Sequence, residues 1–482
     1  MAFVFCSVLT ASLTNAQTSD IHFQQGLEAY KSGNFGSAEL LFRKVVERRD
    51  SYQERGNFYL AACLFRQGKY DEAIFEFNRF QLLSRNQDLI SESRFYIAES
   101  YYLKKDFIKA IEEYKRFISI GQKADAAMRT LASERIGTVY YNSGRFDEAL
   151  IEWKNILPSL PKEKGDRIKL KIAEALYQNG QYAEALEYLD TISTQSSAGD
   201  ISFQSEISLA LGIINTEIGK PAIALKNFVR ISEDLLSKPP FNRSYYYSAK
   251  AFAELNQTDD ALKSLNKYFS FGESAEMHED AVFLNGVLSI NRDPRSALES
   301  VFSIYNRTKN NALRVKTAVF LSRYYIERGR HEDALPFLEF IAKSKASQEK
   351  EISFFLGEAY IFSKKYDKAE NLFLSMAEKY KYDNEADRIF FMLSVVYFWK
   401  KNKSEFDLYN LKITEFNQFS PYKKEILFYK GIERFEESDY SKSENFLREY
   451  VSTAEPKYLS EARNYLFRIY LFMNDPVKSG DI

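Results

Sequence analysis

Apolar and polar positions along this chain recur in one fixed phrase rather than in separate local patterns. From Phe23 onward a small residue is followed by an aromatic four positions later and by Gly or a polar residue at seven. A second aromatic stands at nine, Ala at twelve and a bulky side chain at sixteen. The first copy is Gly26, Tyr30, Gly33, Phe35, Ala38, Phe42, and the second is Ala61, Phe65, Gly68, Tyr70, Ala73, Phe77. Ala98, Tyr102, Lys105, Phe107, Ala110, Tyr114 make the third, and Gly137, Tyr141, Gly144, Phe146, Ala149, Trp153 the fourth. The fifth is Ala173, Tyr177, Gly180, Tyr182, Ala185, Leu189. Apolar spacing of three and four predicts helices on both sides of the Gly, which ends the first helix in a left-handed conformation. Acidic residues then open the second helix, as in Asp71-Glu72 and Asp147-Glu148, where negative charge suits a helix N-terminus. Each copy is therefore an antiparallel helix pair.

Weaker copies continue at Gly212/Ala224, Ala249/Ala261, Gly286/Ala297, Ser322/Ala334, Gly357/Ala369, Ser394/Phe406 and Gly431/Ser443. Successive anchors fall 35 to 39 residues apart, the period of two-helix repeat units. One pair cannot bury its own apolar face, so neighbours must stack. Within a pair, the small first anchor and the Ala of the second helix are expected to let two backbones approach closely. The predicted fold is all-α: a right-handed superhelical solenoid of about 12 helix-turn-helix repeats. The phrase resembles the tetratricopeptide repeat family over residues 21–479. The slightly long period and the N-terminus narrow the resemblance to bacterial cell-envelope repeat proteins, such as outer-membrane assembly lipoproteins and the repeat protein of the Tol-Pal system.

Residues 2–13 are mostly apolar and uncharged, and Thr14-Asn15-Ala16 ends in a small residue, so residues 1–16 read as a signal peptide. No Lys or Arg precedes the apolar run, which fits a true start upstream of Met1. The run is too short to span a bilayer. Cys6 lacks the surroundings of a lipid-acylated cysteine, so envelope association would be peripheral. Residues 17–236 form the array of strong repeats and residues 237–482 the degenerate array. Interruptions at Leu157–Gly165, Thr191–Asp200 and Ser237–Pro240 fall between repeats, and Pro239-Pro240 is expected to mark a hinge or a change of curvature.

Composition removes several functions. Lys plus Arg (66) and Asp plus Glu (67) cancel, and no basic stripe suits nucleic acid. His22, His278 and His331 stand far apart without metal spacing, Cys6 and Cys63 form no framework, and no glycine-rich phosphate loop exists. No cofactor, metal or catalytic residue is expected, and a helical enzyme working through groove carboxylates is the least supported reading. The resemblance implies that first helices line a concave groove. Phe23, Tyr30, Phe58, Phe65, Phe95, Tyr102, Tyr141 and Tyr177 then form an aromatic stripe that grips a partner protein, or are buried between helices. The Lys and Asn that clamp C-terminal carboxylates in some relatives are replaced by Phe23, Leu27 and Lys31, and by Phe58, Ala62 and Arg66. The expected function is a non-catalytic protein-binding scaffold, exported to the periplasm or cell envelope. The alternative is a cytoplasmic regulatory adaptor whose apolar N-terminus stays as a cap.

Overall fold

The local device that makes every pair is the turn at position seven. Gly33, Gly68, Gly144, Gly180, Gly219 and Gly329 all have φ between 70° and 81°. The residue after each closes the helix end by a hydrogen bond reaching back five positions, as in Arg145 N to Tyr140 O at 2.9 Å, which satisfies carbonyls that the helix leaves open. Other copies keep this geometry without glycine. Lys105, Asn256, Lys364, Lys401 and Ser438 occupy the same position with φ between 56° and 64°, at an energetic cost that glycine would not incur.

The computed structural model describes residues 20–48, 50–120, 125–193, 200–273, 276–344, 350–453 and 457–473, and all regular elements among them are helices. The expected signal segment and Cys6 lie outside the described residues. Two compact units divide the chain, Met1–Phe271 and Gly272–Ile482. The first holds seven helix pairs, from residues 20–31 with Phe35–Glu47 to Arg243–Glu254 with Thr258–Phe269. The second holds five pairs, from His278–Ser289 with Pro294–Arg307 to Tyr422–Glu436 with Tyr440–Val451, followed by the single helix Leu459–Phe472. Within each unit every helix packs on its neighbours in sequence, as a stack of mutually supporting pairs requires. Ser237–Pro240 lies inside the first unit, and Phe241 directly after it is buried in the core.

Packing gives a different reason for the small first anchor than close approach of two backbones. A Cβ added to Gly26, Gly137, Gly212, Gly357 or Gly431 would meet the side chain sixteen positions later, at 2.9, 2.4, 2.2, 2.0 and 2.5 Å respectively. Phe42, Phe77, Tyr114, Trp153, Leu189, Phe373 and Leu447 at that position are fully or almost fully buried. A ring or branched chain thus lies flat on a bare helix backbone, and volume is conserved within the pair. The eleventh pair exchanges the two sizes. Phe406 stands where other pairs have Ala or Ser, and buried Asn410 stands where they have Phe, Tyr, Leu or Trp. Both side-chain amide atoms of Asn410, and the hydroxyl of its anchor Ser394, are buried without a hydrogen-bond partner.

A polar strut joins successive pairs. The residue six after one anchor bonds the Asp ten after the preceding anchor: Lys104 pairs with Asp71, Asn179 Nδ2 donates to Asp147 at 2.7 Å, and Lys400 reaches Asp367 at 2.7 Å. The acidic residue that suits the helix N-terminus therefore also registers one repeat against the next.

Candidate functional site

First helices place the aromatic stripe in two layers. Phe23, Phe58 and Phe95, three before their anchors, are 1%, 3% and 5% exposed and pack on the ring sixteen after the anchor, as Phe58 does on Phe77 at 5.8 Å between centroids. These three cannot line a groove; a Phe so placed has no polar tip to bring to water and is taken into the core. Tyr30, Phe65, Tyr102, Tyr141 and Tyr177 are half-buried. Each leans on the aromatic five positions later, with centroids 5.4, 6.0, 5.9, 5.6 and 5.8 Å apart, which fixes the ring on the first-helix side while leaving an edge accessible.

Two of these tyrosines share a pocket of about 250 Å³. Four consecutive first helices build it. Ala126–Asn142 contributes Tyr141; Lys162–Gln178 contributes Glu174, Tyr177 and Gln178; Ile201–Glu217 contributes Glu206 and an apolar floor of Leu209, Ala210, Ile213 and Ile214; Arg243, preceded by Pro240, closes the end. Burial, followed by the neighbouring Tyr247 hydroxyl and its hydrogen bond, raises the Tyr177 phenol above its usual range. Crowding by surrounding protein pushes the Glu174 carboxyl up, and the negative charge of Glu206 adds to this against Arg243 and Lys171. Desolvation also raises Glu206. In each case the crowding outweighs the bases that act against it, Arg243 and Lys171 on Glu174 and Arg167 on Glu206.

Elsewhere on the same side, three acids are matched by the next repeat. Arg135 lies 3.3 Å from Glu99 and its guanidinium covers the Tyr102 ring at 4.6 Å. Lys171 meets Glu134 at 2.6 Å, and Lys250 meets Glu217 at 2.6 Å.

In the second unit, a larger and more apolar pocket of about 410 Å³ escaped sequence reasoning. Phe391, Met392, Val395, Phe428, Tyr429 and Ile432 form its floor, while Phe362 and Trp399 at its edge are 52% and 44% exposed. The signal was the nearly unbroken apolar run from Ile389 to Trp399, since a helix apolar on all sides must face a partner on all sides.

His22, His278 and His331 sit in three different helix pairs, and the His331 ring stacks on Phe362 at 3.9 Å. Among the described residues no three potential metal ligands cluster, and no helix is long and apolar enough to cross a membrane. Cys63 is buried, and burial pushes its thiol up to about 12.

Two tetratricopeptide repeat family models match the chain, one over residues 23–81 and 134–200 and the other over residues 316–339. These segments resemble tetratricopeptide repeats. No curated protein matches the chain. Similar solved structures include the apo form of RapI, 13% identical over 68% of this chain and 97% of that one, with a TM-score of 0.51. The apo form of the quorum sensor NprR from B. thuringiensis is 13% identical over 68% and 98%, with a TM-score of 0.46. A tetratricopeptide repeat protein from Parabacteroides merdae ATCC 43184 is 18% identical over 56% and 99%, with a TM-score of 0.37. The RapI likeness shows a shared helical-repeat fold. The left-handed turn and the packing of a bulky side chain on a small anchor continue through the degenerate pairs.

Proposed function

We propose that this tetratricopeptide repeat chain is a non-catalytic scaffold that holds a partner protein by seating one of its segments along the first-helix side of the first unit. One observation carries the reading: four successive repeats converge on a single pocket whose walls are tyrosine rings and whose floor is aliphatic, the composition of sites that anchor peptide side chains. Introducing a photo-crosslinking residue at Gln178, inside the pocket, and separately at Phe75, on the exposed outer side of a second helix, tests it. Gln178 should capture a discrete partner in cells and Phe75 should not. Equal capture at both positions, or none at Gln178, overturns the proposal.

The setting proposed is the bacterial cell envelope, on the strength of the apolar segment 2–13 and the small residues up to Ala16. Cell fractionation with sequencing of the mature N-terminus tests this part. Recovery in the cytosol with Met1 retained would favour the adaptor reading instead.

A further inference from the structure

Several acids on the first-helix side of the first unit are matched by the next repeat, whereas the two that line the pocket are not. Glu99, Glu134 and Glu217 each meet a basic residue of the following repeat within 3.3 Å. Glu174 and Glu206, which line the pocket, carry no ion pair among the described residues. Two of the bases that act on them are engaged elsewhere, Lys171 with Glu134 at 2.6 Å and Arg167 with Asp200 at 2.7 Å. Arg243 supplies one positive charge to the pocket against two carboxylates. A pocket with surplus negative charge, tyrosine faces at Tyr141 and Tyr177 and an aliphatic floor matches one kind of side chain: a cation on an apolar stem.

We propose that the pocket selects a basic partner segment, with a Lys or Arg placed against Glu174 and Glu206 and an adjacent apolar side chain on the floor formed by Leu209, Ala210 and Ile213. The inference rests on the docking reading above and assigns the chemistry of what docks. An acidic segment is excluded because it would bury two unmatched carboxylates beside its own charge. The charge on Glu174, which faces Glu206, Arg243 and Lys171 and lies beside Tyr177 and Tyr247, then falls as pH drops, and binding of the basic segment weakens with it.

Fluorescence anisotropy on the intact chain decides the matter with three short labelled peptides of identical leucine spacing, carrying Lys, Ser or Glu between the leucines. The Lys peptide should bind about ten-fold tighter than the Ser peptide, and the Glu peptide should bind weakest. Glu174→Gln combined with Glu206→Gln should erase the difference between Lys and Ser peptides. Ala210→Trp, which fills the floor, should abolish both, with circular dichroism confirming that each variant is folded. If Lys and Ser peptides bind wild type equally and Ala210→Trp still abolishes both, charge selection is overturned while the groove stands. If no peptide binds, or Ala210→Trp changes nothing, the groove fails and the inference with it.

Discussion

Replacing Gly357 by Ala should destabilise this protein, although the same change in an open helix stabilises. Gly357 lies inside the helix Lys350–Phe362, where Ala is favoured over Gly by roughly 0.5 to 1 kcal/mol. A methyl group there would stand 2.0 Å from Cζ and 2.5 Å from Cε2 of Phe373, so the ring must shift by more than an ångström to restore ordinary contact. Phe373 has no exposed surface and no free space to move into. Overpacking costs about 1 to 3 kcal/mol, and a clash as close as 2.0 Å belongs at the upper end of that range, so after the propensity gain the net loss is about 2 kcal/mol. Gly36 provides the control: it is exposed, and a Cβ there meets nothing within 4 Å, so Gly36→Ala should stabilise by up to about 1 kcal/mol. Thermal melting by circular dichroism gives the two signs, and hydrogen exchange in Lys350–Phe362 and Tyr366–Lys379 locates the loss. Phe373→Leu in the Gly357→Ala background should recover part of it, because the clash and its relief are one interaction. Gly357→Ala melting at or above the wild-type temperature would refute the ring-on-glycine account.

Lys105→Gly should raise stability by about 1 kcal/mol, since Lys105 holds φ at 64° where a side chain costs energy; denaturant titration reads the midpoint shift. Phe406→Ala alone should cost about 3 to 5 kcal/mol. Combined with Asn410→Phe, which restores the size order of other pairs and removes two unsatisfied amide atoms, it should melt no lower than wild type. Two carboxylates should show opposite pH behaviour. Burial opposes ionisation of Glu39, but hydrogen bonds from Arg43, Gln67 and Lys69 outweigh it and take its pKa down to about 2. Its contribution is thus present above the ordinary value of 4.5 and fades towards 2, so Glu39→Gln should lower the melting temperature at pH 7 and cease to matter near pH 2. Glu174 is shifted upward, so its ionised form is penalised at neutral pH. Glu174→Gln should raise the melting temperature at pH 7, and the gain should vanish below the ordinary value of 4.5.

The repeat was readable because Gly, Ala and aromatics stood at fixed offsets in five consecutive copies. What stayed hidden was geometry that ordinary residues adopt under tertiary pressure. Lys364, Lys401 and Ser438 give no sign in sequence of the left-handed turn they make, because neighbouring helices impose it. Phe58 and Phe65 share a helix face by spacing alone, yet one is core and the other half-buried. A seven-residue interval cannot distinguish them, since the difference lies in the ring sixteen residues after the anchor. The second-unit pocket was missed for a related reason: Phe391 and Phe428 stand three before their anchors, as Phe23, Phe58 and Phe95 do, and spacing alone does not show that they line a pocket. The boundary expected near residue 237 followed declining motif quality, whereas the compact units divide at Phe271/Gly272.

The struts at Asp71, Asp147 and Asp367 bear on how such a chain can vary in length. Each joins equivalent places in adjoining pairs, so gain or loss of one whole pair keeps those places in phase along the rest of the stack. A deletion of one residue inside a second helix would instead rotate its buried side by about 100° and detach the strut. Growth by complete modules, with drift in wording but not in phase, is the course this architecture leaves open to the genes that encode it.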